Sequence, residues 1–368
     1  MPRTLTLLLL AGALAAPPCA PAATQTNQQQ PAAARTAAPA EDDFERGKRL
    51  YTGGDVAAAL PLLKRAAEAR KKDADAWYYL GLALNRLGKT KDARKAFEKS
   101  LKARPDSAAA HASLAYTLLL LGKTRDAERE TERAIELDPK LAEAHYIRGA
   151  LLFQGESYVP AAVETGEALR LRPDFPAAAL LHGDILLNAY ISQTLLQAAV
   201  YPLPAAAGEA ERKAVFEKRD AALEPFKARM RELAVRLEGF AAASAAADAA
   251  VRFREVAESL RVYARARGGE PEGVFRQGEV TSRAVILKKP EPGFSEEARK
   301  EGVTGTVRLR AVLAADGQVR HIIAIKRLPA GLTEVCVAAA RKIRFKPATV
   351  NGAPVSQWVI LEYNFNIY

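Results

Sequence analysis

Apolar and polar residues alternate along two stretches in the last quarter of the sequence. The odd-numbered residues from Val307 to Leu313 are apolar, and so are most odd-numbered residues from Val355 to Ile367. Alternation of this kind is typical of a strand with one buried face. Asp316-Gly317 follows the first stretch, and this dipeptide favours a tight hairpin turn. The pattern therefore predicts an antiparallel sheet.

Other stretches have apolar residues at every third or fourth position, which is the spacing of an amphipathic helix. Leu223 to Phe240 and Phe253 to Tyr263 follow it and predict a helical hairpin over residues 201–267. Leu332 to Phe345 follows it as well, with Pro347 expected to end that helix. The glycine-rich run that begins at Gly268 predicts a linker over residues 268–279.

The first half of the chain repeats with a period of 34 residues. Small residues recur in two columns of the repeat, and prolines close successive units. The columns are Gly47, Gly81, Ala115, Gly149 and Gly183, then Ala59, Ala93, Ala127 and Ala161, then Pro105, Pro139 and Pro173. This pattern resembles the tetratricopeptide repeat (TPR), a pair of helices that stacks into a solenoid. We expect units at 40–73, 74–107, 108–141 and 142–175, with a capping helix that completes a solenoid over residues 40–200.

The TPR resemblance implies a concave face lined by the first helix of each unit. The candidate groove residues on that face are Phe44, Tyr51, Tyr78, Asn85, Tyr116, Tyr146 and Phe153. Their aromatic character favours an apolar or amphipathic peptide as ligand. The alternative is that these side chains only pack neighbouring repeats or are covered by later helices of the same chain.

Residues 280–368 resemble the C-terminal domain of the TonB energy-transducer family. The resemblance is carried by the Pro-Glu-Pro-Gly-Phe run from Pro290, by Asp316-Gly317, by the Arg-Phe-Lys-Pro-Ala run from Arg344, and by Asn351-Gly352. Phe294 stands where the family usually has tyrosine, and a second proline is missing. The resemblance implies a small α+β domain with an antiparallel sheet, which grasps peptides in the bacterial periplasm and has no catalytic machinery.

The final strand is expected to lie at an edge of that sheet, where backbone N–H and C=O groups are unpaired. TonB-like domains add a short strand from a receptor at such an edge. The candidate edge residues here are Val355, Ser356, Gln357, Trp358, Val359, Ile360, Leu361 and Glu362. The alternatives are that the edge pairs with a second copy in a dimer, or that it is covered by the chain near residues 280–287.

The N-terminal residues predict export. Arg3 precedes an apolar run, Leu5 to Ala16, which is too short to span a membrane and suits a signal peptide over residues 1–22. Residues 23–39 lack periodicity and predict a disordered tether. Pro17 and Pro18 argue against a lipoprotein anchored through Cys19. A TonB transducer retains a membrane helix and a long proline-rich spacer, and neither is predicted here.

The composition adds few chemical candidates. The net charge is +11, but a secreted chain rarely meets nucleic acid, so acidic partners or anionic envelope surfaces are expected instead. No His, Cys and carboxylate residues have metal-ligand spacing, and no phosphate loop or nucleophile elbow is present. We therefore predict no enzyme, metal or cofactor, and membrane association only through partners. The expected function is a periplasmic adaptor linked to TonB-type transport that binds an outer-membrane receptor peptide. The alternative is an envelope-assembly scaffold whose C-terminal domain self-associates.

Overall fold

The computed structural model describes residues 42–204, 206–266, 273–300 and 302–366. The chain divides into two compact units between Arg148 and Gly149, inside one helix. The predicted signal peptide, the predicted tether and part of the predicted linker lie outside the described residues.

The first unit consists of antiparallel helix pairs. Its helices are α1 (Asp43–Thr52), α2 (Val56–Ala69), α3 (Ala74–Arg86), α4 (Thr90–Ala103), α5 (Ala108–Leu120), α6 (Thr124–Leu137) and the first half of α7 (Ala142–Gln154). Asp73 begins α3 by accepting hydrogen bonds from the backbone N–H groups of Asp75 and Ala76, as expected of an N-cap residue. Gly88 separates α3 from α4 with a φ of +72°, which glycine adopts at little cost.

The second unit begins in α7 and continues with four helices, of which the last three are longer than any in the first unit. They are α8 (Tyr158–Leu171), α9 (Pro176–Val200), α10 (Glu209–Ala243) and α11 (Ala247–Ala264). Asp184 of α9 accepts hydrogen bonds from Arg252 of α11, at 2.9 Å. Gly183, in the small-residue column, lies where a Cβ atom would be 2.6 Å from Val256 Cγ1. The helices α9 and α11 can therefore pack closely because residue 183 has no side chain.

Seven strands and two short helices follow in the described part of the chain. They are β1 (Val274–Phe275), β2 (Val285–Lys288), α12 (Glu296–Lys300), β3 (Gly305–Leu313), β4 (Val319–Lys326), α13 (Leu332–Ala340), β5 (Arg344–Lys346), β6 (Ala348–Val350) and β7 (Ala353–Phe365). The main sheet has the order β1-β7-β3-β4, with β6 also paired to β7, and β2 pairs with β5 separately. The predicted fold class, a TPR solenoid followed by an α+β domain with an antiparallel sheet, is confirmed.

The buried face of the sheet packs against α13. Val307, Leu309 and Ala311 of β3 are fully buried together with Cys336 of α13, as the alternating pattern predicts. The predicted helix from Leu332 to Phe345 is wrong at its C-terminal end. The helix ends at Ala340, and Phe345 is buried as a residue of β5, where it pairs with Ile286.

The sheet domain and α11 are joined by polar and aromatic contacts. Arg341 donates a hydrogen bond to Glu255 at 2.6 Å, and the Ser259 hydroxyl lies 3.0 Å from Nδ1 of His321. The rings of Tyr263 and Trp358 are 5.8 Å apart. The helical extension and the sheet domain therefore pack as neighbours within the second unit.

Candidate functional site

The candidate site is the side of β7 that faces away from β3. β3 pairs antiparallel with residues 357–365 of β7. β6 pairs with residues 353–355, before the part of β7 that pairs with β3 begins. On the side opposite β3, β1 pairs in parallel with Ser356 and Gln357. In the part of the chain that the structure describes, no strand pairs with this side of β7 beyond Gln357.

Lys289 identifies which backbone groups face outward. Its ammonium donates a hydrogen bond to the carbonyl oxygen of Glu362 at 2.5 Å and lies 4.4 Å from the centroid of the Tyr363 ring. Because backbone groups alternate along an antiparallel strand, the N–H and C=O groups of Trp358, Ile360 and Glu362 face the same side. These are the groups that an added strand would use.

The segment that contains β2 runs beside this side of β7 without pairing with it. The Ala284 N–H donates to the side-chain oxygen of Gln357 at 2.8 Å, and Lys289 reaches Glu362 five residues further along. Side chains bridge the two segments at both places, so they lie further apart than paired strands, which are about 4.8 Å apart.

A cavity of about 360 Å³ opens between these segments. Its lining residues are Gln277, Arg283, Ala284, Arg310, Gln357, Trp358, Val359 and Ile360. The Arg310 guanidinium lies 3.9 Å from the Trp358 ring centroid and 6.0 Å from that of Tyr263. The open side of β7 therefore borders a cavity that combines apolar and cationic groups.

Three of the eight predicted edge residues already pair with a short strand other than β3. Val355 pairs with β6, and Ser356 and Gln357 pair with β1. At Ser356 and Gln357 the side of β7 opposite β3 is therefore occupied, because the chain before β2 returns to pair there as β1. From Trp358 to Glu362 the predicted edge residues have β3 on one side and the cavity or Lys289 on the other.

The predicted TPR groove residues form a different arrangement from the one expected. Six of the seven are buried, and Tyr78 is half-buried. Tyr79, which is not among them, has its ring 5.8 Å from that of Phe44 and 6.0 Å from that of Tyr51. Asn85 donates to the Thr117 hydroxyl at 2.8 Å inside the core. Burial of the six side chains favours the alternative in which they pack neighbouring repeats, and Tyr78 is the one half-buried member of the set.

Burial moves the pKa values of these tyrosines further above neutral pH. Desolvation raises the pKa of Tyr78 to about 12, and it raises the pKa values of Tyr51, Tyr116 and Tyr146 as well. Their hydroxyl groups stay neutral at any physiological pH. They carry no charge that could recognise a peptide terminus.

Metal binding and membrane insertion find no support within the described ranges. No group of three or more His, Cys, Asp or Glu side chains there could hold a metal ion. None of the helices there has the length and apolar character needed to cross a membrane. His111 and His145 each bond the carbonyl of a proline six residues earlier in the chain, which gives both a structural role at the start of a repeat.

Comparison with protein families assigns both parts of the chain. Models of the tetratricopeptide repeat match residues 44–108 and 84–151, and the model of the Gram-negative bacterial TonB protein C-terminal matches residues 290–367. The chain carries tetratricopeptide repeats and a TonB C-terminal domain. Both are protein-interaction modules, so the TPR array and the TonB domain together support the role of an adaptor. No curated protein matches the chain.

Several solved structures are similar over about half of the chain. MamA from Desulfovibrio magneticus RS-1 is 20% identical, covers 51% of this chain and 94% of its own, and has a TM-score of 0.35. TTC0263, a TPR protein of Thermus thermophilus, is 20% identical with coverages of 49% and 97% and a TM-score of 0.37. YrrB, described as a TPR protein with an unusual peptide-binding site, is 20% identical with coverages of 50% and 85% and a TM-score of 0.33.

Proposed function

We propose that this chain is a non-catalytic adaptor of the periplasm, linked to TonB-type transport across the outer membrane. In this proposal the open side of β7 receives an extended segment of an outer-membrane receptor. The observation that carries it is the parallel pairing of β1 with Ser356 and Gln357. This side of β7 already accepts a short parallel strand, and the backbone groups beyond it face a cavity and one lysine.

Strand addition suits a module that must hold different partners. The hydrogen bonds come from the main chain of the ligand and demand little of its side chains. Each contributes roughly 1 kcal/mol net, so a short strand binds weakly on backbone contacts alone. The ammonium of Lys289 must also leave the Glu362 carbonyl before a ligand can use it. Reversible, modest affinity is what this arrangement supports.

For the TPR array we propose a second protein partner, with the array holding it while the TonB domain engages the receptor. Five of the six aromatic residues predicted for this role are core residues, so these five are not proposed as its contacts, and Tyr78 is half-buried. Membrane association in this proposal occurs only through partners, and the exported, periplasmic location rests on the predicted signal peptide.

The test uses the full chain and fluorescently labelled peptides from periplasmic segments of outer-membrane receptors. Proline at position 360 removes one outward-facing N–H and leaves the β3 side of β7 paired. Ile360→Ala is the matched control, because it trims the exposed side chain and keeps the N–H. We expect anisotropy titrations to give weaker binding for Ile360→Pro and near-normal binding for Ile360→Ala.

Equal binding by both variants and the unaltered chain would contradict strand addition at β7. A chain that dimerises in solution and loses dimerisation with Ile360→Pro would instead support self-pairing of this strand. Unchanged melting of Ile360→Pro verifies that the substitution leaves the fold intact.

A further inference from the structure

The cavity beside β7 has a cationic lining. Two of its lining residues are arginines, two are glutamines, and none is acidic. The side-chain oxygen of Gln277, in the amide orientation that satisfies its neighbours, accepts hydrogen bonds from Arg283 at 2.5 and 3.3 Å. The guanidinium of Arg283 is therefore matched with a neutral amide.

Three other arginines of the domain are matched with carboxylates. Arg308 pairs with Glu362, Arg320 with Asp316, and Arg341 with Glu255, each at 2.6 Å. A guanidinium forms stronger hydrogen bonds with a carboxylate than with a neutral amide, because both partners are charged. The cavity thus offers a guanidinium fork that a carboxylate would satisfy better than Gln277 does.

The position of the cavity relates it to the strand that β7 would receive. The pairing of β1 with β7 is limited to Ser356 and Gln357. The cavity begins there and is lined by Gln357 to Ile360. A parallel ligand strand next to β7 would place one side chain over this cavity as it passes Trp358 to Ile360. The stacking of Arg310 on the Trp358 ring at 3.9 Å orients a second guanidinium at the same place.

We propose that this cavity is a subsite for an acidic side chain, Asp or Glu, of the extended peptide that pairs with β7. The inference rests on the proposed function and adds a sequence requirement to it. The ligand carries a carboxylate at the residue that lies beside Trp358 to Ile360. Arg283 releases the side-chain oxygen of Gln277 and binds this carboxylate instead. Selectivity then comes from one ion pair, while the backbone of the ligand supplies the remaining contacts.

Tryptophan resonances give a direct test in the full chain, which has two tryptophans. The indole N–H of Trp77 donates to the Lys71 carbonyl at 3.1 Å and serves as the internal reference. The indole nitrogen of Trp358 is buried and has no hydrogen-bond partner among the residues described. In protein labelled with ¹⁵N-tryptophan, ligands at the cavity should shift the Trp358 resonance and leave that of Trp77 unchanged.

The ligands are two blocked seven-residue peptides of valine and threonine, identical except for Glu or Gln at the centre. We expect the Glu peptide to bind up to about fivefold more tightly, since an ion pair with an exposed arginine is worth up to about 1 kcal/mol. Arg283→Gln should abolish the difference. Arg283 is exposed, so the substitution should leave the fold intact. Arg320→Gln, a control outside the cavity lining, should preserve the difference.

Each outcome distinguishes the subsite from strand addition. Equal binding of both peptides at β7 would overturn the acidic subsite and leave strand addition in place. If neither peptide binds, strand addition fails, and N-acetylglutamate amide then tests the cavity alone. A Trp358 shift with that probe that disappears in Arg283→Gln would support the subsite, and no shift would overturn it.

Discussion

Gly81 provides a sharp test of the repeat packing. It lies in α3, where a Cβ atom would be 2.6 Å from Cε1 of Phe97 and 2.8 Å from both Cδ1 and Cζ. These distances are well inside van der Waals contact. Phe97 is fully buried, and its ring lies 5.9 Å from that of Tyr78, so it has no open space to move into. Gly81→Ala should therefore overpack the contact between α3 and α4.

Two opposing effects set the size of the change. Overpacking a core contact costs about 1–3 kcal/mol, while alanine favours a helix interior over glycine by about 1 kcal/mol. Gly239 supplies the matched control, because it also lies inside a helix, α10, and a Cβ atom there would meet nothing within 4 Å. Gly239→Ala should stabilise its unit, so the difference between the two substitutions isolates the contact at about 1–3 kcal/mol.

Urea unfolding followed by tryptophan fluorescence measures both changes. Trp77 reports on the first unit in a Trp358→Phe background, and Trp358 reports on the second in a Trp77→Phe background. Combining Gly81→Ala with Phe97→Leu should recover part of the loss, because the smaller side chain accepts the new methyl group. A gain in stability for Gly81→Ala equal to that for Gly239→Ala would refute the close approach of the two helices.

Three further predictions concern pH, an ion pair and export. Burial lowers the pKa of His182 to about 4 from its ordinary value of 6.5. Protonation therefore favours the unfolded state, and the unfolding free energy should fall by up to about 1.4 kcal/mol per unit as the pH drops from 6.5 towards 4. His182→Gln should remove this part of a pH-resolved unfolding curve, and an unchanged curve would contradict it. Asp184→Asn should cost about 1 kcal/mol and lose its effect in high salt, because its ion pair with Arg252 is partly exposed; urea unfolding at two salt concentrations checks it. The intact mass of the native protein should correspond to a chain that begins near Ala23, and a retained Met1 or a lipid on Cys19 would rule this out.

The repeat period identifies packing in the solenoid from the sequence because close contacts require small residues at fixed spacing. Gly81 and Gly183 both stand in one column of that period, and both lie where an added Cβ atom would meet a neighbouring side chain. The alternation in β3 and β7 likewise reveals which face is buried. In both cases the signal is a side-chain period that the packing itself imposes.

The period does not show whether a recurring aromatic residue faces a ligand or the core. Tyr116 and Tyr146 belong to the predicted groove, yet both are buried, because their burial depends on the neighbouring helices. β1 could not be found either. Val274 and Phe275 lie after a glycine-rich linker and pair with β7 through backbone groups, which leave no pattern in the side chains. The cavity lies where β1 brings the chain back to β7, so it could not be predicted from the sequence either.

The position of Lys289 has a consequence for the solubility of the protein. Val285, Ile286 and Leu287 form an exposed apolar run, and an apolar β-strand of this kind is an aggregation hazard when it meets an identical strand of another molecule. Lys288 and Lys289 follow it directly, so two molecules that approach strand to strand bring like charges together. We therefore expect Lys289, which donates a hydrogen bond to the Glu362 carbonyl, also to disfavour fibrous self-assembly. Its replacement by an apolar residue should make concentrated solutions of the protein precipitate more readily.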